Sequence, residues 1–426
     1  MGALADSLSA TLRGLRHRNF RLFFFGQLVS LAGSWMQTLA QGWLVWRLSG
    51  SPWLLGLVGF AQFSPVLLLG LLGGWAADRF DRRRLVTLTQ TASLVQSVVL
   101  AALTLSGAVQ VWHVIVLAAF LGAVNAFDMP ARQAFLVRMV GREDLGNAIA
   151  LNSSIFNGAR IVGPAVAGLV TGLWGEGVCF ALNALSFGAV LAGLAAMRLE
   201  RERRPPGPGA WRQIREGLAY AWRTPHTRAL LGLVTATSLL GLPYSVLLPA
   251  FAGGVLGTDA RGLGLLMSCA GIGSLAGALS MASRTSLKGL GRHAGLMAGL
   301  FGTALALFAL SEGFALSAAL LAVLGFCFMS QMAAVNTLLQ SLVPEALRGR
   351  LMSLYVVTFV GMAPVGSLAM GRLSAWFGVR EALFSGGVLT FGAALVFLAT
   401  LRRVRPSVLS LLRARSEASA SDAPPL

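Results

Sequence analysis

Twelve runs of apolar residues, each long enough to cross a bilayer, follow one another along the chain with only short polar breaks between most of them. A bilayer core about 30 Å thick takes roughly 20 apolar residues as a helix. Lipid offers the backbone no hydrogen-bond partners, so such runs cross as helices or not at all. The runs fall at 20–46, 53–77, 85–106, 112–138, 148–172, 174–197, 228–252, 260–283, 294–311, 313–342, 346–374 and 379–401. They predict an all-α membrane protein of twelve transmembrane helices. Charged residues make up only 12% of the chain, against about 25% in soluble domains. Residues 1–19 are basic, and the apolar stretch from Phe20 is too long for a signal h-region and lacks a small-residue cleavage site. It reads as the first span, not as a cleaved leader.

The net charge of +18 raises the question of nucleic acid. The arginines sit between apolar runs, no basic helix stands free, and the one lysine is Lys288, so nucleic acid is excluded as a partner. The lipid bilayer is the partner that this pattern implies. With both termini in the cytoplasm, Arg47, Arg261 and Arg380 fall outside and Arg132, Arg160 and Arg372 fall within spans. The other 28 of the 34 basic residues are then cytoplasmic. The positive-inside rule therefore predicts cytoplasmic termini and a multi-pass protein of the inner (plasma) membrane. Cys179, Cys269 and Cys327 lie apart inside apolar runs, which suits small buried residues and not a disulfide or a metal. His17, His113, His226 and His293 are scattered, and no Walker loop is present. The sequence thus predicts no enzyme activity, no metal, no cofactor and no direct ATP drive.

Five segments follow: a cytoplasmic N-terminal segment 1–19, a six-helix half 20–197, a linker 198–227, a second six-helix half 228–401 and a disordered cytoplasmic tail 402–426. The linker opens on a Pro/Gly stretch. Trp211, Ile214, Leu218, Ala221 and Trp222 then recur at helical spacing among Arg212, Arg215, Glu216 and Arg223. That pattern fits an amphipathic helix on the membrane face, or a plain solvated linker helix. The halves echo each other. Val-Gly-Arg-Glu-Asp-Leu-Gly-Asn-Ala at 140–148 and Val-Pro-Glu-Ala-Leu-Arg-Gly-Arg at 343–350 each precede a span with a proline, Pro164 and Pro364. Repeated halves place a substrate site between them near mid-membrane.

Between spans two and three stands Gly73-Gly74-Trp75-Ala76-Ala77-Asp78-Arg79-Phe80-Asp81-Arg82-Arg83-Arg84. Glycines there allow close helix approach. The charges can cap helix ends or pair with acids on neighbouring helices, or simply anchor the loop inside. This loop resembles the G-x-x-x-D-R-x-x-R-R signature of the major facilitator superfamily, with Asp81 where the family usually has glycine. The resemblance implies the major facilitator fold, and a cytoplasmic gating loop carried by Gly74, Asp78, Arg79, Arg82 and Arg83. Asp78 and Arg82 would be the gating pair that locks the halves when the protein opens outward. The equivalent loop at 284–292 keeps Arg284, Lys288 and Arg292 but no acid.

Span five carries Asn147, Asn152, Asn157, Arg160, Gly163, Pro164 and Gly168. Gly163 and Pro164 would bend the helix, and Gly168 with Gly172 makes a small-residue packing face. The run resembles the G-P-x-x-G-G motif of antiporters in the same superfamily, with Ala167 in place of one glycine. A packing kink without a coupling role is the competing reading. With Asn125-Ala126-Phe127-Asp128-Met129-Pro130-Ala131-Arg132-Gln133 of span four, the chain is similar over 15–405 to the exporter branch that includes enterobactin exporters and drug-efflux proteins.

Asp128 is the one acid well inside a span. Arg132 lies four residues on, on the same helix face, Asn125 lies a turn before, and Arg160 comes from the next span. Three readings stand for this group: a proton carrier whose charge an arginine controls, part of the gate, or a static Asp128–Arg132 pair. The sequence places gate or static pair ahead of direct proton carriage. Span one carries Gln27, Ser30, Ser34, Gln37 and Gln41 in steps of 3, 4, 3 and 4, a polar helix face. The sequence favours a substrate cavity for this face over interhelical hydrogen bonding. Thr235, Ser238, Gln331, Asn336 and Gln340 of the second half are the candidates opposite it, and Asn125 is counted with the substrate cavity. Trp35, Trp43 and Phe63 line the cavity, or serve as belt and core residues.

The leading expectation is a monomeric secondary transporter that exports a small molecule (a siderophore, drug or similar amphiphile) in exchange for protons by alternating access. The alternatives are a uniporter or importer of a metabolite or lipid, and a membrane receptor or scaffold that does not transport. Intramembrane charges weigh against the last.

Overall fold

The computed structural model describes residues 13–141, 143–198, 219, 221–284, 286–343 and 345–421. Every regular element among them is helical. After a short 3-10 turn, Arg13–Arg16, come twelve long helices. Those of the first half are α1 (Arg18–Ser49), α2 (Pro52–Arg79), α3 (Arg82–Leu105), α4 (Val111–Val140), α5 (Leu145–Trp174) and α6 (Glu176–Ala196). Those of the second are α7 (Pro225–Val255), α8 (Ala260–Ala282), α9 (Leu290–Leu310), α10 (Phe314–Leu342), α11 (Glu345–Phe377) and α12 (Val379–Ser421).

Eleven of these are long and apolar enough to cross a membrane; α1, thinned by its glutamines and serines, is the one below that level. The bundle reverses the polarity of a soluble fold. Leu68, Leu185 and Val396 stand about 70% exposed, at 72%, 72% and 67%, while Gln27, Gln37, Ser97, Asp128, Asn183 and Gln331 are buried. That arrangement suits a lipid surround, where polar groups must find partners inside.

Packing repeats at an interval of six helices. α2 packs on α4 as α8 packs on α10, and α3 on α6 as α9 on α12. Two six-helix halves result. They join along two seams, α2 against α11 and α5 against α8.

Two features depart from the sequence reading, and a third falls largely outside the described residues. The tail expected to be disordered from 402 continues α12 as helix to Ser421. Its leucines, arginines and alanines are strong helix formers, and no glycine follows Gly392 to end it. α7 is not a plain helix but is interrupted by π-turns at Thr237–Gly241 and Phe251–Val255. Pro243 and Pro249 have no N–H to give, so the ladder widens, with Leu242 N donating to Thr237 O at 2.9 Å and Leu256 N to Phe251 O at 3.0 Å. The amphipathic linker helix expected around 211–222 lies largely outside the described residues; of its apolar positions, Ala221 is buried and Trp222 exposed.

Candidate functional site

The seams position everything else. On the α2–α11 seam, a Cβ on Gly56 would stand 2.5 Å from the Ser367 carbonyl oxygen and 2.7 Å from Gly371 Cα. On the α5–α8 seam, a Cβ on Gly264 would stand 2.5 Å from Pro164 O and 3.0 Å from Gly168 Cα. Ser268 Oγ donates to Ile161 O at 2.8 Å on the same seam. Backbones approach this closely only over glycine. Both seams lie toward the arginine-poor end. There Arg372 of α11 sits between Trp53 of α2 (5.5 Å to the ring centroid) and Trp376 (4.6 Å). Arg261 of α8 covers Gly172 of α5 and reaches its carbonyl at 3.5 Å. Toward the arginine-rich end the partners fall away, and a Cβ on Gly70, Gly74, Gly146, Gly158 or Gly349 would meet nothing within 4 Å. The halves are joined at one end and parted at the other.

This explains the glycines of span five. Gly163 packs on α1, where a Cβ would reach Trp35 Cβ at 2.6 Å, and Gly168 with Pro164 forms the seam with α8.

The loop 79–84 lies at the parted end. Asp81, where the family pattern has glycine, caps α3 by accepting from Arg84 N at 2.9 Å, and stands 3.9 Å from Arg138 of α4. Arg82 is buried and donates to the carbonyls of Ala134 (3.0 Å) and Ala77 (3.5 Å). Arg83 donates to Leu194 O at the end of α6, at 2.7 Å. Arg79 lies over the Trp75 ring at 5.5 Å. Asp78 is exposed and makes no ion pair among the described residues. It is thus not joined to Arg82 in this conformation. Gly74 faces open space, and it is Gly73 that permits close approach, because a Cβ there would collide with the Ala126 carbonyl.

Asp128 is 2% exposed. Its Oδ1 accepts from Thr89 Oγ1 (2.7 Å) and Gln90 Nε2 (3.0 Å), and its Oδ2 pairs with Arg132 at 3.1 Å. Arg132 also donates to Gln27 Oε1 at 2.7 Å. Arg160, expected in this group, is elsewhere. It is half-buried at the α5–α8 seam with its guanidinium over Trp35, 5.6 Å from the ring centroid. Asn125 is half-buried and makes no hydrogen bond among the described residues.

The polar face of α1 is a correction. Gln37 is 3% exposed and lies in a network inside the first half: it donates to Gln96 Oε1 (3.0 Å), and its Oε1 accepts from Ser97 (2.9 Å) and Asn183 (2.7 Å). Gln27 and Gln41 are equally buried, and Ser34 Oγ bonds to Ser30 O of its own helix at 2.8 Å. Gln37 thus answers polar residues of α3 and α6, and Gln27 answers Arg132 of α4, instead of facing a cavity. The face a fraction of a turn away looks across to the second half, as Gly42 does against Pro249. In that half Gln331 is fully buried and donates to Thr237 Oγ1 at 2.8 Å, while Asn336 is half-buried and accepts from Gln340 at 3.1 Å. Gln331 is therefore held within its own half too.

Sequence reading missed Thr89, Gln90, Gln96, Ser97, Asn183 and Tyr244. Positions 89/90, 93 and 96/97 of α3 carry the same 3–4 spacing that marks α1, so that signal was present.

Comparison with known proteins fits this geometry. The model of transmembrane secretion effectors matches residues 9–416. The staphyloferrin A transporter of Staphylococcus aureus is 23% identical over 90% of this chain and 97% of its own length. The multidrug efflux pump Tap of Mycolicibacterium fortuitum is 29% identical over 90% and 96%, and that of Mycobacterium tuberculosis (strain ATCC 25618 / H37Rv) 30% over 83% and 86%. Among solved structures, a bacterial homolog of the human lysosomal transporter Spinster in an inward-facing, occupied conformation superposes with a TM-score of 0.73. It is 14% identical over 91% of this chain and 97% of that one. At that identity the likeness speaks for the fold.

Proposed function

The chain belongs to the transmembrane secretion effector family of major facilitator transporters, and from that premise we propose that it exports a small molecule in exchange for protons by alternating access. It works as a monomer in the inner (plasma) membrane with both termini in the cytoplasm. The arginine-rich end then faces the cytoplasm, and the conformation described is open inward. The Tap relatives are multidrug efflux pumps, which supports export.

The observation that carries proton coupling is the buried Asp128. A carboxylate inside a membrane span is costly unless it is paired or used. Here it is held by one arginine and two neutral donors on α3. If Arg132 leaves Asp128 and keeps only Gln27 as the halves rock, the carboxylate loses its counter-charge, which is the condition for carrying a proton. Substrate occupying the cleft at the parted end would drive that shift, and closure of loop 79–84 onto α11 would then seal the cytoplasmic side.

The test is substrate accumulation in inverted vesicles with and without an imposed proton gradient, in wild type and in Asp128→Asn. Proton carriage requires that the variant lose gradient-driven accumulation yet still exchange substrate down its own gradient. Equal loss of both activities assigns Asp128 to the gate. Unchanged transport makes the Asp128–Arg132 pair static and removes the coupling argument.

A further inference from the structure

We propose that Arg160, Trp35 and Tyr244 form a recognition site for a carboxylate on the transported molecule. The inference rests on the transport reading above and names the substrate class.

Arg160 lies at the apex of the cleft between the halves. On its arginine-poor side the α5–α8 seam is closed, by Ser268 on Ile161 O and by Gly264 on Gly168; toward the other end, Phe156 and Ser153 on the Arg160 face are exposed. Helix α8 touches the backbone at this point, since a Cβ on Gly271 would stand 3.0 Å from Arg160 O. Trp35 comes from the middle of α1. Tyr244 comes from α7 of the other half, just past its first π-turn, on the stretch Tyr244–Ala250 that packs against α1. Three mid-membrane helices from both halves thus converge where alternating access needs a site.

The chemistry selects an anion. Arg160 makes no hydrogen bond or ion pair among the described residues, and neither does the Tyr244 hydroxyl. Asp128 is the carboxylate placed inside a span, and Arg132, Thr89 and Gln90 already hold it. A half-buried guanidinium inside a membrane span calls for a counter-charge, and the Trp35 face supplies only part of one. Stacking against a ring leaves the N–H fork free, and that fork matches a carboxylate bidentately. Arg132 is committed to Asp128 and Gln27, so a single cation serves the site. It suits one carboxylate better than a multiply charged phosphate. Trp35 meets Phe156 edge-on at 6.2 Å, and Phe156 is 44% exposed. An apolar body attached to the carboxylate has an aromatic surface to lie on.

The test uses purified full-length protein in nanodiscs with no proton gradient, and two probes that differ by one charge, 4-(1-pyrenyl)butyrate and its methyl ester. Wild type is expected to bind the acid at least tenfold more tightly than the ester. Arg160→Gln should abolish that preference by lowering acid binding to the level of the ester, Arg160→Lys should keep part of it, and Tyr244→Phe should weaken acid binding a few-fold. Equal binding of acid and ester by wild type overturns the site without any variant having to fold. An undiminished preference in a monodisperse Arg160→Gln protein overturns it as well. The measurement needs no transport, so a failure of proton-driven export would leave its result standing. Conversely, intact export without any acid preference would sink this site alone.

Discussion

Removing the Gln37 amide would take a partner from three buried groups at once, because Gln96, Ser97 and Asn183 all converge on it. A buried polar group left without a partner costs about 1–3 kcal/mol, although hydrogen bonds between membrane helices average nearer ~0.6 kcal/mol. Gln37→Leu is therefore expected to destabilise the purified protein by roughly 1–3 kcal/mol. Ser34→Ala, whose hydroxyl bonds only its own helix, should change it little; thermal unfolding in detergent compares the two. The contrast also shows where the sequence stops being readable. A 3–4 spacing of polar residues says that one face of a helix is polar. It does not say whether water, substrate or another polar face lies opposite, and for Gln37 the answer was on α3 and α6. At the arginine-rich end, Asp144 accepts from His17 at 2.7 Å and pairs with Arg13 at 2.7 Å. The His17 hydrogen bond first, and Arg13 second, hold its carboxyl below the usual range. A group with a lowered folded-state pKa stabilises fully above its unfolded value, about 3.9 for Asp, and less as pH falls through the lowered one. The stability difference between wild type and Asp144→Asn should thus be present near pH 5 and shrink at still lower pH. A difference that grows on acidification would exclude this pairing as its source.

At the scale of helices, the apolar runs correspond to all twelve long helices, though α1 is less apolar than the other eleven, because lipid forces each run into one outcome. What hydropathy could not reveal was shape within a span. Pro243 and Pro249 stand within α7, yet whether a proline kinks a helix or widens it into π-turns depends on neighbours such as Phe301, which packs on Tyr244 at 6.2 Å. The span-five glycines were legible as packing residues, but their partner, Gly264, was not, since it lies about 100 residues away on a helix of the other half. The seams invite a direct test. Gly264→Val would push its side chain into the Pro164 carbonyl and the Gly168 backbone, neither of which can rotate aside. Wedging the arginine-poor end apart should favour the opposite conformation. Reactivity of a cysteine at Ser353, exposed on α11 at the parted end, should then fall several-fold. Unchanged reactivity in a well-folded variant would mean that the seam is not what holds this conformation.

For the whole molecule, the two seams set a register that reaches beyond the contacts themselves. Along α2 and α11 the facing pairs are Gly56 with Gly371, Gly59 with Ser367 and Leu67 with Gly361. The helices run antiparallel, and continuing that register brings Gly74 opposite Ser353 at the arginine-rich end, where the structure holds them apart. A transporter that rocks about a central site must open one pair as it closes the other. Two double-cysteine proteins follow, each with Cys179, Cys269 and Cys327 replaced. Gly59→Cys with Ser367→Cys should oxidise quickly, since a Cβ at 59 stands 3.1 Å from that of Ser367, close to the spacing of a disulfide. Cross-linked, this protein should stop transporting, keep binding ligand from the arginine-rich side, and recover on reduction. Gly74→Cys with Ser353→Cys should oxidise slowly in the conformation described and faster in the Gly264→Val background, because only the opposite conformation closes that end. If the 74–353 pair forms at once while the 59–367 pair does not, the resting protein is open at the other end. If both pairs form at once in one molecule that still transports, the halves do not alternate about these seams.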